Sequence, residues 1–129
     1  MAGNRVVARF RDGHIVKGTT SDFSPQRDSL HVQTESGVEL VDFRHLKALF
    51  FVRDLDGDSR HQKSNLFSPA RPVIGRKIAV RFADGEILVG TTQGYRPGRS
   101  GFFVVPADPD GNTERCWVVA AATDEVRMY

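Results

Sequence analysis

One segment of this chain occurs twice. Residues 3–20, GNRVVARFRDGHIVKGTT, return as residues 75–92, GRKIAVRFADGEILVGTT, at a constant shift of 72 (Phe10 to Phe82). Nine of the eighteen positions are identical: Gly3, Arg9, Phe10, Asp12, Gly13, Ile15, Gly18, Thr19 and Thr20, each with its counterpart. A repeat constrains the architecture more tightly than any bulk property of the 129 residues. Each copy spans roughly 50 to 55 residues, a size at which a hydrophobic core is marginal. The two copies are therefore expected to pack on each other or to oligomerise.

Local patterning assigns the elements. Val6, Ala8 and Phe10 alternate with Val7, Arg9 and Arg11, the period of a half-buried strand. Asp12-Gly13 then predicts a tight two-residue hairpin turn, since both residue types tolerate positive φ, and a second strand over 14–20. That hairpin would set Phe10 opposite Ile15, and Phe82 opposite Ile87 in the second copy. Gly18 and Gly90 fall inside the second strand, where glycine marks a sharp bend or a close backbone approach. Small barrels need such a bend to close.

The alignment continues without a gap through Phe23/Tyr95, Pro25/Pro97, Arg27/Arg99, Leu30/Phe102 and Val32/Val104. It predicts third strands over 30–34 and 102–105, and fourth strands over 38–43 and 115–121. A helical turn at Arg44-His45-Leu46 then precedes fifth strands over 48–53 and 125–129. The expected fold is all-β, two tandem five-stranded Sm/SH3-like small barrels packed as a pseudo-symmetric pair. Residues 1–53 form the first unit, 54–74 a polar linker and 75–129 the second. Leu49, Phe50, Phe51 and Val52 form a continuous apolar run rather than an alternating one, so both faces of that strand want burial. These four residues are assigned to an interface between repeats or between subunits.

Charge and chemistry narrow the function. The net charge is +2, spread as +2 over residues 1–53 and zero over both 54–74 and 75–129, so no segment is a basic tail. The single cysteine, Cys116, excludes an internal disulfide and a multi-cysteine zinc site, and reads as a small buried residue beside Trp117. No HExxH, Walker loop, GxGxxG turn or GxSxG elbow occurs, so no catalytic residue, metal site or cofactor is assigned. His14, His31, His45 and His61 lie on separate elements. Asp56 and Asp58 flank Gly57 as in a calcium loop, but His61, Gln62 and Lys63 stand where the closing glutamate is needed, so they read as solvated carboxylates. Without a signal segment or an 18-residue apolar window, the expected setting is the cytoplasm, with no membrane contact.

Two sets of residues remain as candidates. Arg9 and Arg81 sit opposite the core face and suit cross-strand packing better than anion binding. The aromatic-Pro-Arg loops offer Phe23 and Arg27 in the first copy, and Tyr95, Arg96 and Arg99 in the second. An exposed ring beside guanidinium groups can stack on a base while the arginine holds a phosphate.

The apolar alternation, Asp-Gly turn, Ile-Val-x-Gly and later Leu resemble the first motif of Sm-like proteins, small β-barrels that often bind RNA. Asp28 or Ser100 stands where that family places a base-recognising asparagine. Leu46-Lys47-Ala48-Leu49 and Thr123-Asp124-Glu125-Val126 replace its Arg-Gly pair. The resemblance therefore implies the barrel and not the RNA site. The phrases HLKALFFVRDLDG (residues 45–57) and EILVGTTQGYRPGRSGFFVVPAD (residues 86–108) resemble an uncharacterised bacterial family of duplicated small β-domains, which implies no activity. Arg5, Arg9 and Asp22-Phe23-Ser24 resemble part of the PilZ-type cyclic-di-GMP motif, with Arg27 where its closing glycine belongs. The expectation is a non-enzymatic binding or adaptor module whose partner is another protein. Nucleic acid or a nucleotide, cyclic dinucleotides included, is the alternative, and homo-oligomerisation is compatible with either.

Overall fold

The computed structural model describes residues 3–56, 67, 74–108 and 111–128. These residues form an all-β fold of ten antiparallel strands in one hydrogen-bonded sheet, with almost no helix. The first repeat supplies β1 (Asn4–Phe10), β2 (Ile15–Thr20), β3 (Ser29–Thr34), β4 (Gly37–Asp42) and β5 (Leu46–Val52). The second supplies β6 (Arg76–Phe82), β7 (Ile87–Thr92), β8 (Gly101–Pro106), β9 (Thr113–Val119) and β10 (Thr123–Met128). Short 3-10 turns, Phe43–His45 and Ala120–Ala122, precede the last strand of each repeat. Of the expected linker, only residues 54–56, 67 and 74 are among those described.

The strand order is β10-β6-β7-β8-β9-β5-β1-β2-β3-β4. Each repeat thus runs fifth-first-second-third-fourth, and the repeats meet where β5 pairs with β9. Among the described residues the sheet is open, with β4 and β10 each paired on one side only. Two separately closed barrels were expected, and the reason they do not form by strand pairing is visible in the order. Closing the first repeat would need β4 on the outer edge of β5, and β9 occupies that edge. Closing the second would need β10 on β9, whose free edge β5 has taken.

The hairpins also differ in detail from expectation. Arg9, not Phe10, faces Ile15, and Arg81 faces Ile87. Phe10 instead donates its N–H to the His14 carbonyl (3.0 Å), and Gly13 N–H closes the turn on the Phe10 carbonyl (3.0 Å). The loop therefore holds three residues, Arg11-Asp12-Gly13, and Gly13 (φ 98°) occupies the left-handed position that such loops require. The extra residue moves the pairing by one. Ile15 and Ile87 consequently point to solvent, and His14 stacks on the Phe10 ring at 3.9 Å.

The glycines inside the second strands fit the bend read from sequence. A Cβ on Gly18 would overlap the Gln33 carbonyl oxygen of β3, and one on Gly90 the Val105 carbonyl of β8. Ladder pairing between β2 and β3 is confined to Thr19↔Gln33. The chain turns there while remaining in close backbone contact. The inner face of the bent sheet carries one continuous core that draws on both repeats, from Val6, Ala8, Leu30, Val32 and Leu49 to Ile78, Val80, Phe82, Val104 and Val118.

Candidate functional site

The surfaces that could engage a ligand or partner follow from which strand edges the fold uses and which it leaves. β5 is used on both. It pairs with β1 on one side and with β9 on the other, in the register Ala48↔Val118, Leu49↔Trp117, Phe50↔Cys116 and Phe51↔Arg115. Leu49, Phe51 and Val52 are buried and Phe50 is half-buried, so the apolar run lies at the seam between repeats. Cys116, beside Trp117, is fully buried there.

An aromatic cluster crosses the seam. Trp117, 1% exposed, meets the Phe23 ring edge-on at 5.3 Å and the Phe43 ring at 4.8 Å. Phe103 lies 5.9 Å from Phe23 and 6.2 Å from Phe51. The Arg115 guanidinium covers Phe51 at 4.3 Å and Phe103 at 4.8 Å. Aromatic pairs and cation–π contacts of this kind add to the burial of the rings themselves.

A polar clasp closes the same seam. Lys47, 7% exposed, places Nζ 2.7 Å from Asp84 and 2.5 Å from Glu86, and 4.7 Å over the Phe82 ring. Burial pushes the ammonium pKa down, but the hydrogen bonds to both carboxylates outweigh it and leave it above the ordinary lysine value. The Lys47 hydrogen bond in turn holds the Asp84 carboxyl below its usual range, helped by the Glu86 backbone N–H.

The aromatic-Pro-Arg loops are placed differently in the two repeats. Phe23 is part of the seam cluster, with rings from Phe43, Phe51, Phe103 and Trp117 around it. Tyr95 is half-buried and meets the Phe102 ring edge-on at 4.8 Å. Arg27, Arg96 and Arg99 are exposed, and their loops are closed by Arg27 N–H to the Ser24 carbonyl and Arg99 N–H to the Arg96 carbonyl. The loops belong to the β2–β3 and β7–β8 connections, with β9, β5 and β1 between those pairs in the sheet. The two sets of candidate residues share no ring contact or hydrogen bond among the described residues.

The residues resembling the cyclic-dinucleotide motif have duties within the fold. Arg5 donates to the Arg53 carbonyl (2.6 Å), and the Arg9 guanidinium lies 5.4 Å over Phe50. Asp22 accepts from the His31 ring (2.7 Å), the His31 backbone N–H (3.0 Å) and the Thr20 hydroxyl (3.1 Å). The His31 side-chain hydrogen bond leads in holding the Asp22 carboxyl down at about 2. Arg81 faces Glu125 at 3.4 Å, a cross-strand ion pair between β6 and β10. Among the described residues, no group of three or more His, Cys, Asp or Glu is placed to hold a metal. Asp56 is described, whereas Asp58 and His61 lie outside the described residues. No helix among the described residues is long and apolar enough to cross a membrane.

What remains is the pair of unpaired sheet edges. On β4, Val38 and Leu40 are 60% and 65% exposed at alternate positions with Glu39 between them, while Val41 turns into the core. On β10, Val126 and Met128 are half-buried and Arg127 is exposed, its guanidinium 2.9 Å from Glu125. Sequence reasoning overlooked this edge, although Val38-Glu39-Leu40-Val41 carries apolar residues at both parities and only one parity can face the core. It also missed Lys47, Asp84 and Glu86, because two carboxylates in a hairpin turn carry no mark of a lysine 37 positions away.

No curated protein and no solved structure matches the chain. A family model does, over residues 2–129, and the chain accordingly belongs to the Family of unknown function (DUF6982).

Proposed function

We propose that this chain is a non-enzymatic protein-interaction module that receives a partner strand at the β4 edge. The observation that carries this reading is the exposure of Val38 and Leu40 on a strand with one edge unpaired. Strand addition draws affinity from main-chain hydrogen bonds and selectivity from alternate side chains. Free edges are ordinarily blunted by lysine or proline, and β4 holds neither. In this reading each repeat is a small, strongly bent Sm/SH3-like unit, with its fifth strand beside its first. The setting we propose is the bacterial cytoplasm.

A second reading has a specific observation behind it. The exposed Arg96 and Arg99 make no side-chain hydrogen bond or ion pair among the described residues, and Tyr95 shares their loop with its ring half-exposed. That set suits a phosphate and a base of a nucleotide or nucleic acid.

Affinity capture from cytosol, with and without nuclease, separates the two when run beside Leu40→Lys and Arg99→Ala. The interaction module retains proteins regardless of nuclease, and Leu40→Lys releases them. Retention that nuclease or moderate salt abolishes, and that Arg99→Ala abolishes with it, would replace this reading by the second.

A further inference from the structure

The internal seam is a template for what the free edges can bind. It joins the fifth strand of one repeat to the fourth strand of the other. The edges left over are again a fourth strand, β4, and a fifth strand, β10. Equivalent positions in this half of the repeats are related by a shift of 77, as Phe43 to Ala120 in the 3-10 turns. The same shift takes Phe51, the β5 partner of Val6, to Met128, the β10 partner of Ile78, while Val6 and Ile78 keep the earlier shift of 72.

Carrying the seam register to the free edges sets Glu125 opposite Val41 and fixes the three pairs beyond it. Leu49↔Trp117 becomes Val126↔Leu40, Phe51↔Arg115 becomes Met128↔Val38, and Phe50↔Cys116 becomes Arg127↔Glu39. Two apolar pairs on one face flank an opposite-charge pair on the other. The two exposed side chains of β4 would each gain an apolar neighbour, and the exposed Arg127 would gain Glu39 beside Glu125. We infer that β4 of one copy of this chain pairs antiparallel with β10 of a second copy, in the register of the internal seam, so that copies join head to tail. The inference rests on the preceding reading and names the partner strand.

The same transposition says that this contact is weaker than the seam. Leu40 takes the place of Trp117, and Ala120 that of Phe43. In place of the buried Lys47 between Asp84 and Glu86 stand Asp124 of one copy and Asp12 with His14 of the next. Two carboxylates then share one imidazole, so the clasp that closes the seam has no equivalent between copies. Association should be reversible and concentration-dependent. A contact between unlike edges leaves a free edge at each end, so growth gives a ring where the rotation closes and a filament where it does not.

The test is sedimentation of the full chain over a concentration series, with two charge reversals measured singly and mixed. Like charges directly opposite across an antiparallel pair are destabilising. Glu39→Arg alone and Arg127→Glu alone should each weaken association by about tenfold. An equimolar mixture should recover it, because each edge of one variant then meets an opposite charge on the other. Leu40→Lys should abolish association on its own. All three positions are exposed, and an unchanged circular dichroism spectrum and unfolding midpoint confirm that each variant folds. Association that both reversals leave untouched, or that mixing fails to restore, overturns the register and the head-to-tail contact. A chain that is monomeric at every concentration overturns the inference; if Leu40→Lys still releases captured proteins, the interaction reading survives it, and if not, both fall.

Discussion

Phe23 and Tyr95 stand at the same place in the two repeats, yet their surroundings have little in common. Phe23 is ringed by Phe43, Phe51, Phe103 and Trp117, the last two supplied by the other repeat. Tyr95 meets Phe102 of its own repeat, and the loop beyond it is open to solvent. The loops are built alike, so the difference comes from the neighbour. Phe23 has a fourth strand docked beside it, and Tyr95 does not. A residue repeated in both copies can therefore serve the unit in one copy and the junction between units in the other.

The largest test of that comparison removes the neighbour. Trp117→Ala deletes a fully buried ring at the centre of the seam cluster and should cost about 3–5 kcal/mol, read by denaturant unfolding. The next is the direct one. Phe23→Ala should cost about 3 kcal/mol and Tyr95→Ala about 1 kcal/mol, because only the first leaves a cavity among packed rings. Equal losses would mean that Phe23 owes nothing to the second repeat. A third test concerns the clasp. Lys47→Met should cost about 2 kcal/mol, since it removes two charge-assisted hydrogen bonds while leaving Asp84 and Glu86 free to hydrate.

That last variant also carries a pH signature. The Asp84 carboxyl is held below its ordinary value of 3.8, chiefly by Lys47. A depressed carboxyl contributes stability that is complete above its ordinary value and is lost as the pH falls through the lower folded value. Wild-type protein should therefore lose stability more steeply on acidification below 3.8 than Lys47→Met does. Asp22 and Asp42, both held down at about 2 by their own partners His31 and Arg44, titrate in both proteins and cancel in the difference. At the alkaline end the sign reverses. The raised Lys47 contributes stability that is complete below 10.5 and disappears as the pH rises past its folded value.

The succession of strands within a repeat was legible because it is written locally. Alternation in 6–10, a glycine where β2 bends and an apolar run at 49–52 each report on a residue's immediate neighbours. The hairpin register slipped by one because Asp-Gly serves both two-residue and three-residue loops, and only the pairing of Arg9 with Ile15 separates them. Openness was not legible at all. Whether β5 closes on its own β4 or takes β9 depends on a competition between strands some seventy residues apart, and both outcomes bury Leu49. Of the aromatic loops, the sequence shows that a ring, a proline and an arginine recur. It does not show that one ring meets Trp117 and Phe103 of the other repeat while the other ring meets only Phe102 of its own, since that depends on a docked strand and not on the loop.

The doubly buried β5 has a consequence for the chain as it is made. Residues 49–52 leave the ribosome well before residues 113–119 exist to cover their outer edge. At elongation rates of about 5–20 residues per second, that interval lasts roughly 3 to 12 s. For that time Leu49-Phe50-Phe51-Val52 is a bare apolar strand with high β-propensity, the kind of segment from which aggregation starts. Lys47 and Arg53 bracket it, and flanking charges of this sort slow such pairing. Lys47 would thus act twice, first as a guard on the nascent strand and later as the clasp that locks the finished one.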